Sequence, residues 1–528
     1  MKHLHLPHPS LRRPLLGLAL LAALVGAQAQ TRGGTLSVIV APEPSILVPA
    51  VNSQVATQYV GSKIYQGLLS YGADLKPRPE LAASWKISPD GLTYTFELQK
   101  GVTWHDGKPF TADDAVFTID KMLRETHPRT RVVLNNHVAG IKALAPHTLE
   151  ITLKAAFPAF ISSFEVGTMP MMPKHLYDGT DYRTNPANQK PVGTGPFMLK
   201  EWKRGAFVKL ERYPAYWKKG LPYVDEVVFN VIPDAASRAV AFEKGDAHIV
   251  KGGDIEAAEV KRLRGVPGVQ FSTQGWELFS PSIHMQTNMR KPPFDNVKVR
   301  QAVMHAMNRN FIVNTVFQGL GRPLAAPFAS TTLFSDNKNV PQYPYDLRKA
   351  RELIKESGVN VGATPVRLLA NGLGGNYDRL DEYTKQQLEQ LGFKVNIEAA
   401  DGGTWGSKVA NWDFDVTTNL PYQYGDPALG VERLYITKNI VKGTPFANNQ
   451  GYSNPVADGL WAKAGIETDG AKRQALYSEL QKVLVADAAN IWLLEVEFAT
   501  LAQPYVKNAI TSGHNLTENF EQVWLDRK

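Results

Sequence analysis

His105 and Asp106 stand side by side, and a carboxylate next to an imidazole can orient it for acid–base chemistry. Their setting is Trp104-His105-Asp106-Gly107-Lys108-Pro109, a turn in which an aspartate accepts backbone N–H bonds, so the pair is expected to be structural. No second catalytic set accompanies it. The chain has no Gly-x-Ser-x-Gly elbow. Gly101 to Lys108 comes near a phosphate loop, but five residues separate its glycines and Pro109 stands where a hydroxyl residue belongs. Three of the 12 histidines lie in the first 29 residues. The others, among them His137, His248 and His284, lack the spacing of metal ligands. Cysteine is absent, which removes thiolate catalysis, thiolate metal sites, disulfides and a lipid-bearing cysteine. No catalytic residue, metal or cofactor is expected, and the protein reads as a binder, not an enzyme.

Binding has better material. Trp405, Trp412, Tyr422 and Tyr424 cluster in a loop-rich stretch between Ala399 and Tyr435. Rings supply large contact area at little rotamer cost, which suits a pocket closing on ligands of variable chemistry. Trp412, just before Asp413-Phe414-Asp415-Val416, reads as core. Near the start, Glu43 and Asn52-Ser53-Gln54 sit on a loop held extended by Pro42, Pro44 and Pro49. They are candidates for ligand hydrogen bonds, with a solvated loop as the alternative.

Composition narrows the partners. The formal charge of +8 over 528 residues is mild, and basic residues are interleaved with acidic ones, as in Lys349-Ala350-Arg351-Glu352. That balance does not predict nucleic-acid binding. Lys2, Arg12 and Arg13 precede an apolar run from Leu15 to Val25 that ends at Ala27-Gln28-Ala29. The run reads as a cleaved signal peptide over residues 1–29 and is too short to span a bilayer. Pro14 after Arg12-Arg13 favours the general secretory route over twin-arginine export. What remains is long enough for two or three domains, and without disulfides its cores alone must hold it together.

The elements around these residues alternate between strand and helix. Thr35 to Val40 reads as a strand, and helical spacing follows from Thr57 to Leu69. Ala83–Ile87 and Thr93–Leu98 form a hairpin about Pro89-Asp90-Gly91. Thr111 caps a helix running through Met122, and Thr148 to Leu153 alternates as a strand. Phe197–Leu199, Phe207–Leu210 and Val227–Ile232 read as strands, and a helix from Ala235 to Lys244 ends at Gly245. Helices are predicted over Asn296–Asn308 and Asp346–Ser357. A strand–helix–strand unit is predicted over Val366–Ala370, Tyr377–Leu391 and Lys394–Ala399. The class is mixed α/β, without internal repeats.

Several blocks carry a resemblance that propensity does not supply. Leu81-Ala82-Ala83-Ser84-Trp85 through Asp90-Gly91-Leu92-Thr93-Tyr94-Thr95-Phe96, then Trp104 to Asp114, resembles the signature of the peptide/nickel-type, family 5, extracellular solute-binding proteins of ABC importers. Gly193-Thr194-Gly195-Pro196-Phe197, Asn230 to Asp234 with Phe242 to Asp246, Val299 to Val303 and Gly425-Asp426-Pro427 follow in that family's order.

The resemblance implies a two-lobed periplasmic binding protein fold of type II, in its large three-subdomain class, with a hinge. Lobe I is expected to be discontinuous, over residues 30–72, 193–280 and 500–528, with an inserted subdomain at 73–192; lobe II spans 281–499. A peptide or peptide-sized solute is expected between the lobes, delivered to membrane permease subunits by a monomeric periplasmic protein that carries no lipid anchor. A sugar, an amino-acid conjugate or a metal chelate is the alternative cargo. A secreted hydrolase or a periplasmic chaperone is a more distant reading.

The resemblance also implies site residues. Trp405 matches the tryptophan that faces ligand in peptide-binding relatives, and the loop with Glu43, Asn52 and Ser53 lines lobe I's side. Asp426-Pro427 matches the ligand loop. There the relatives place an aspartate for the ligand's amino group at the position of Gln423, between Tyr422 and Tyr424. Glutamine cannot neutralise a buried ammonium. Dipeptide binders also place an arginine after the strand at 366–370, where this chain has Gly372-Leu373-Gly374-Gly375-Asn376, with Arg379 inside the helix. The ligand is therefore expected to lack at least one of the two charged ends of a free dipeptide.

Overall fold

The computed structural model describes residues 30–527, and the leader read at 1–29 lies outside them. Two large mixed sheets organise the chain. The first contains, in spatial order, Gln270–Ser272, Thr500–Ala502, Ile249–Val250, Thr35–Val40, Glu226–Val231, Phe207–Arg212 and Phe197–Lys203. Thr35–Val40 runs parallel to both Glu226–Val231 and Ile249–Val250. It is buried on both faces, with Leu36, Val38 and Val40 in one core and Ile39 in another, as a strand covered on both sides must be. The crossover helix Ala235–Lys244 covers one face. Asp234 caps it by accepting from Ser237 N at 2.7 Å, and Gly245 at φ +82° ends it.

The second sheet is ordered Gly321–Pro323, Ile491–Val496, Ser282–Thr287, Val416–Asn419, Val366–Leu369 and Val395–Glu398, around a separate core. Val366–Leu369 is parallel to both Val395–Glu398 and Val416–Asn419, with helix Asn376–Gln390 as crossover. Chain passes between the two sheets at 273–281 and again at 497–499. A smaller antiparallel sheet of Ala82–Ile87, Thr93–Leu98, Thr148–Leu153 and Val138–Ala145 shares the first sheet's core.

Two expected elements come out differently. The helix predicted from Thr57 to Leu69 is Val55–Gly61 only. Tertiary backbone bonds end it: Lys63 O accepts from Phe197 N at 3.1 Å and Ile64 O from Gly195 N at 2.8 Å. Within the stretch expected to be loop-rich, Gly402–Ala410 is helical despite three glycines, because Asp401 caps it through Gly403 N and Thr404 N, both at 2.9 Å.

The same close approach explains the Trp104–Lys108 and Gly193–Phe197 blocks. A Cβ on Gly193 would stand 1.8 Å from Ile64 O, and one on Gly195 would stand 2.6 Å from Lys63 O. His105 braces this crossing, with Nε2 donating to Gly195 O at 3.0 Å and Nδ1 accepting from Gly193 N at 3.3 Å. Burial lowers its pKa to about 4, so it is neutral. Asp106 turns away to His175, 2.6 Å distant. The neighbours in sequence form no acid–base pair.

Asp381, on Asn376–Gln390, is 1% exposed. One of its oxygens accepts from Thr418 Oγ1 at 3.1 Å and the other has no partner. Burial pushes its pKa up to about 7. Because the folded pKa is raised, the folded state gains protons, and this contribution to stability is lost as pH rises from the ordinary carboxylate range through about 7. Asp381→Asn is expected to be about 1–3 kcal/mol more stable than wild type at pH 8, with little difference near pH 4. Urea midpoints at the two pH values check this, and equal midpoints at pH 8 contradict it.

Candidate functional site

The loops after Val366–Leu369 and Val416–Asn419 leave the carboxyl ends of neighbouring parallel strands, where open α/β sheets place ligands. The second of these loops carries Tyr422 and Tyr424 to the chain that crosses between the lobes. There Trp276 packs on Phe498 with centroids 4.7 Å apart, and Phe279 lies 5.7 Å from Tyr422 and 6.0 Å from Tyr424. Tyr422 in turn is 6.4 Å from Trp276. The five rings form one group at the junction of the lobes.

Tyr424 sits at φ +54°, a left-handed conformation that a non-glycine residue adopts at a cost of roughly 1–3 kcal/mol and that gathers at functional sites. On its ring lies the guanidinium of Arg129, at the start of helix Thr130–His137, with Cζ 3.6 Å from the centroid. Both terminal nitrogens of Arg129 are buried without a hydrogen-bond partner. Burial lowers its pKa to about 9, and the charge of Arg433 adds to the effect. The Tyr422 hydroxyl is pushed up to about 12 by burial, against the pull of Arg129.

Polar groups without partners continue into lobe II. His284 and Asn419 face each other across adjacent strands, each 2% exposed. His284 Nε2 and both polar atoms of the Asn419 side chain are unpaired, as is Trp276 Nε1. Burial, with Arg433 nearby, lowers His284 to about 3 and keeps it neutral. Buried polar atoms are nearly always hydrogen-bonded, so a concentration of unpaired ones beside an aromatic group fits a surface that a ligand completes.

Of the residues expected at the ligand, the structure joins Tyr422 and Tyr424 and turns the others elsewhere. Gln423 has no spare atom: Oε1 accepts from Ala329 N at 3.0 Å and Thr332 Oγ1 at 2.6 Å. Its Nε2 donates to Ser282 Oγ at 3.0 Å and Pro327 O at 3.1 Å. Asp426 is 2% exposed and held by Arg473 through two bonds of 2.7 and 3.0 Å. Trp405 belongs to a small separate core with Leu369, Val409 and Phe414 and donates its indole N–H to Thr417 Oγ1 at 2.8 Å. Glu43 accepts from Trp202 Nε1 and Gly205 N, both at 3.0 Å. Asn52 bonds Ser45 and Gln54 within its own loop, and the Ser53 carbonyl is taken by Gln58. Arg379 reaches Glu256 of lobe I at 3.4 Å. Arg129, Trp276 and Phe498 were not legible as site residues, because no local pattern connects them to Tyr424.

Two lobes around separate mixed sheets, joined by two passages of chain with aromatic and unpaired polar groups at the junction, define a receptor of the type II periplasmic-binding class. Residues 76–442 match the profile of the bacterial extracellular solute-binding proteins, family 5 Middle, and the chain belongs to family 5. It acts as the solute-binding component of an ABC importer.

The chain is 32% identical over 447 residues to the glutathione-binding protein GsiB of Pectobacterium atrosepticum, covering 83% of this chain and 84% of that one. It is 29% identical over 481 residues to GsiB of Salmonella typhimurium, covering 89% and 88%. Among solved structures, the ABC transporter substrate-binding protein CtaP from Listeria monocytogenes superposes with a TM-score of 0.83 at 25% identity, over 94% of this chain and 100% of that one. The periplasmic binding protein DppA from Helicobacter pylori, in complex with the peptide STSA, gives 0.81 at 25% identity, over 94% and 99%.

Proposed function

We propose that this protein is exported to the periplasm by residues 1–29 and there binds one peptide-sized solute between its lobes, as a monomer and without catalysis. Tyr422, Tyr424, Trp276 and Phe498 form the contact surface, and the passages at 273–281 and 497–499 act as the hinge. Lobe I then comprises 30–72, 193–280 and 500–528 with the insert 73–192, and lobe II comprises 281–499. The observation that carries the reading is Tyr424, held in a strained conformation with an unpaired guanidinium on its face. Such strain persists only where surrounding structure imposes it, and here it presents a ring to the junction of the lobes.

The first solute to test is glutathione, for which the curated relatives are named. It is peptide-sized, and its two carboxylates and one ammonium leave a net negative charge that suits a cleft offering a guanidinium; its ammonium departs from the expectation drawn from Gln423 and would have to be met by another group. Titration calorimetry is expected to give one site per chain. Tyr424→Ala is expected to weaken binding by about tenfold or more through lost stacking and a released Arg129. Unchanged affinity in Tyr424→Ala would place the ligand elsewhere. Failure of glutathione alone, with another peptide or an amino-acid conjugate bound and sensitive to Tyr424→Ala, would change the cargo and keep the site.

A further inference from the structure

The two sheet units also meet outside the aromatic group, through Glu256 on one side and the loop 372–376 on the other. Glu256 opens the helix Ala257–Arg264, whose Val260 and Leu263 pack in one core with Ile39 of the first sheet. Gly375 opens Asn376–Gln390, the crossover helix of the second sheet. A Cβ on Gly375 would stand 2.1 and 2.3 Å from the two carboxylate oxygens of Glu256. The carboxylate thus occupies the place a side chain would take, and Gly375, at φ +54° and ψ −115°, has a backbone that favours glycine.

Charge matches this fit. Arg379, in the first turn of the second helix, places Nη2 3.4 Å from Glu256 Oε2 and is steered by a bond to Asn376 Oδ1. Among the described residues this is the only ion pair that joins the two units. Gly375 brings no capping side chain to a helix of 15 residues, and a carboxylate at that end meets the positive pole of the helix dipole. Glu256 makes no cap bond to its own helix, so its carboxylate is free for this contact. Tyr377 links the contact to the aromatic group: burial raises its hydroxyl pKa, and the Tyr422 phenol and then the Glu256 carboxylate add to the rise.

We infer that Glu256 is a latch between the lobes: seated against Gly375 and paired with Arg379, it keeps part of the population closed before any solute arrives. The inference rests on the two-lobe reading above and adds to it a closing force that no solute supplies. A half-exposed ion pair alone contributes little. Here the seat at Gly375 and the helix end act on the same carboxylate. Because a solute held between two lobes binds tightly only to the closed form, the fraction closed in its absence scales the apparent affinity. Such a latch leaves the encounter rate unchanged and slows release.

The chain has no cysteine, so Lys219→Cys and Lys355→Cys, at exposed positions one on each lobe, take a donor and an acceptor dye without competing thiols. Energy transfer between them is measured in protein stripped of solute by unfolding and refolding. Glu256→Ala is expected to raise the open fraction by about threefold or more relative to wild type. Its urea midpoint is expected to equal that of wild type, since Glu256 caps nothing in its own helix. Added salt is expected to open wild type and to leave Glu256→Ala where it is.

Gly375→Ala, which fills the seat, is expected to open the lobes as Glu256→Ala does, and the two together are expected to open them no further. Arg379→Met takes its place in this cycle if Gly375→Ala does not fold. Energy transfer unchanged in Glu256→Ala overturns the inference, as does an opening fully additive with the second substitution. A fall in the urea midpoint of Glu256→Ala would assign the residue to stability and also overturn it. The cleft reading fails by a different result, affinity indifferent to Tyr424→Ala, on which the measurement without solute does not depend.

Discussion

Asp426→Ala is expected to lower the unfolding free energy by about 3–5 kcal/mol, because it strands a buried cation. Arg473 and Asp426 have side chains 5% and 2% exposed and meet through two charge-assisted bonds. Arg473 also donates to Ala464 O at 2.9 Å, and its face lies 4.9 Å from the Phe334 centroid and 5.3 Å from that of Tyr477. These contacts orient the guanidinium without neutralising it. Asp426 additionally caps the turn Pro427–Gly430 through Ala428 N at 3.0 Å. Asp426→Asn preserves a cap and one neutral acceptor and is expected to cost roughly half as much. Urea unfolding gives both values, and a loss below about 1 kcal/mol in Asp426→Ala would show that Arg473 finds another partner.

Gly193→Ala is expected to cost about 3 kcal/mol or more, with a sharp fall in soluble yield. The added Cβ would stand 1.8 Å from Ile64 O, a backbone atom that cannot swing aside. Ile64 O is fixed by Gly195 N, and the Gly193 N–H is fixed by His105. Relief requires opening the crossing that joins the 193–197 block to the 61–65 segment, and with it the shared core of lobe I. Gly107→Ala is the control: its Cβ meets nothing within 4 Å, and its φ of +84° predicts a cost of only about 1 kcal/mol. Comparable losses in the two variants would mean that close approach does not set the cost at Gly193, whose backbone is not left-handed.

Much of the architecture was legible because local and tertiary preferences agree. Helix Ala235–Lys244 falls where Asp234 and Gly245 delimit it, and the strand–helix–strand unit around Asn376–Gln390 matches its apolar period to within a residue or two. The motif blocks were legible as a family pattern, and their chemistry became clear only in space. His105, Gly193 and Gly195 form one backbone crossing, which the adjacency of His105 and Asp106 had disguised as a possible acid–base pair.

The site was half legible. Tyr422, Gln423 and Tyr424 are consecutive but do not share a direction, since the backbone turns at Tyr424 (φ +54°) and the Gln423 side chain bonds Ala329, Thr332, Ser282 and Pro327. The rings face the junction of the lobes while Gln423 points into lobe II, so grouping the three by proximity in sequence assigned them one role where the structure gives two. Asp426 entered as a candidate because Asp426-Pro427 matches the family's ligand loop; its partner Arg473 comes from a distant helix that no local pattern connects to it. Trp405 entered as a candidate through the family pattern, within a stretch read as loop-rich; the cap at Asp401 makes that stretch helical, and the ring packs in a small core. Arg129 shares no pattern with Tyr424. Only the packing of the inserted sheet against lobe II brings the two together.

The most direct test of the central claim is a crystal structure of the protein with its solute bound. The account predicts one solute between the lobes, against Tyr422, Tyr424 and Trp276, with Gln423 and Asp426 unmoved. A solute seated instead beside Trp405, or against the loop of Glu43 and Asn52, would contradict it.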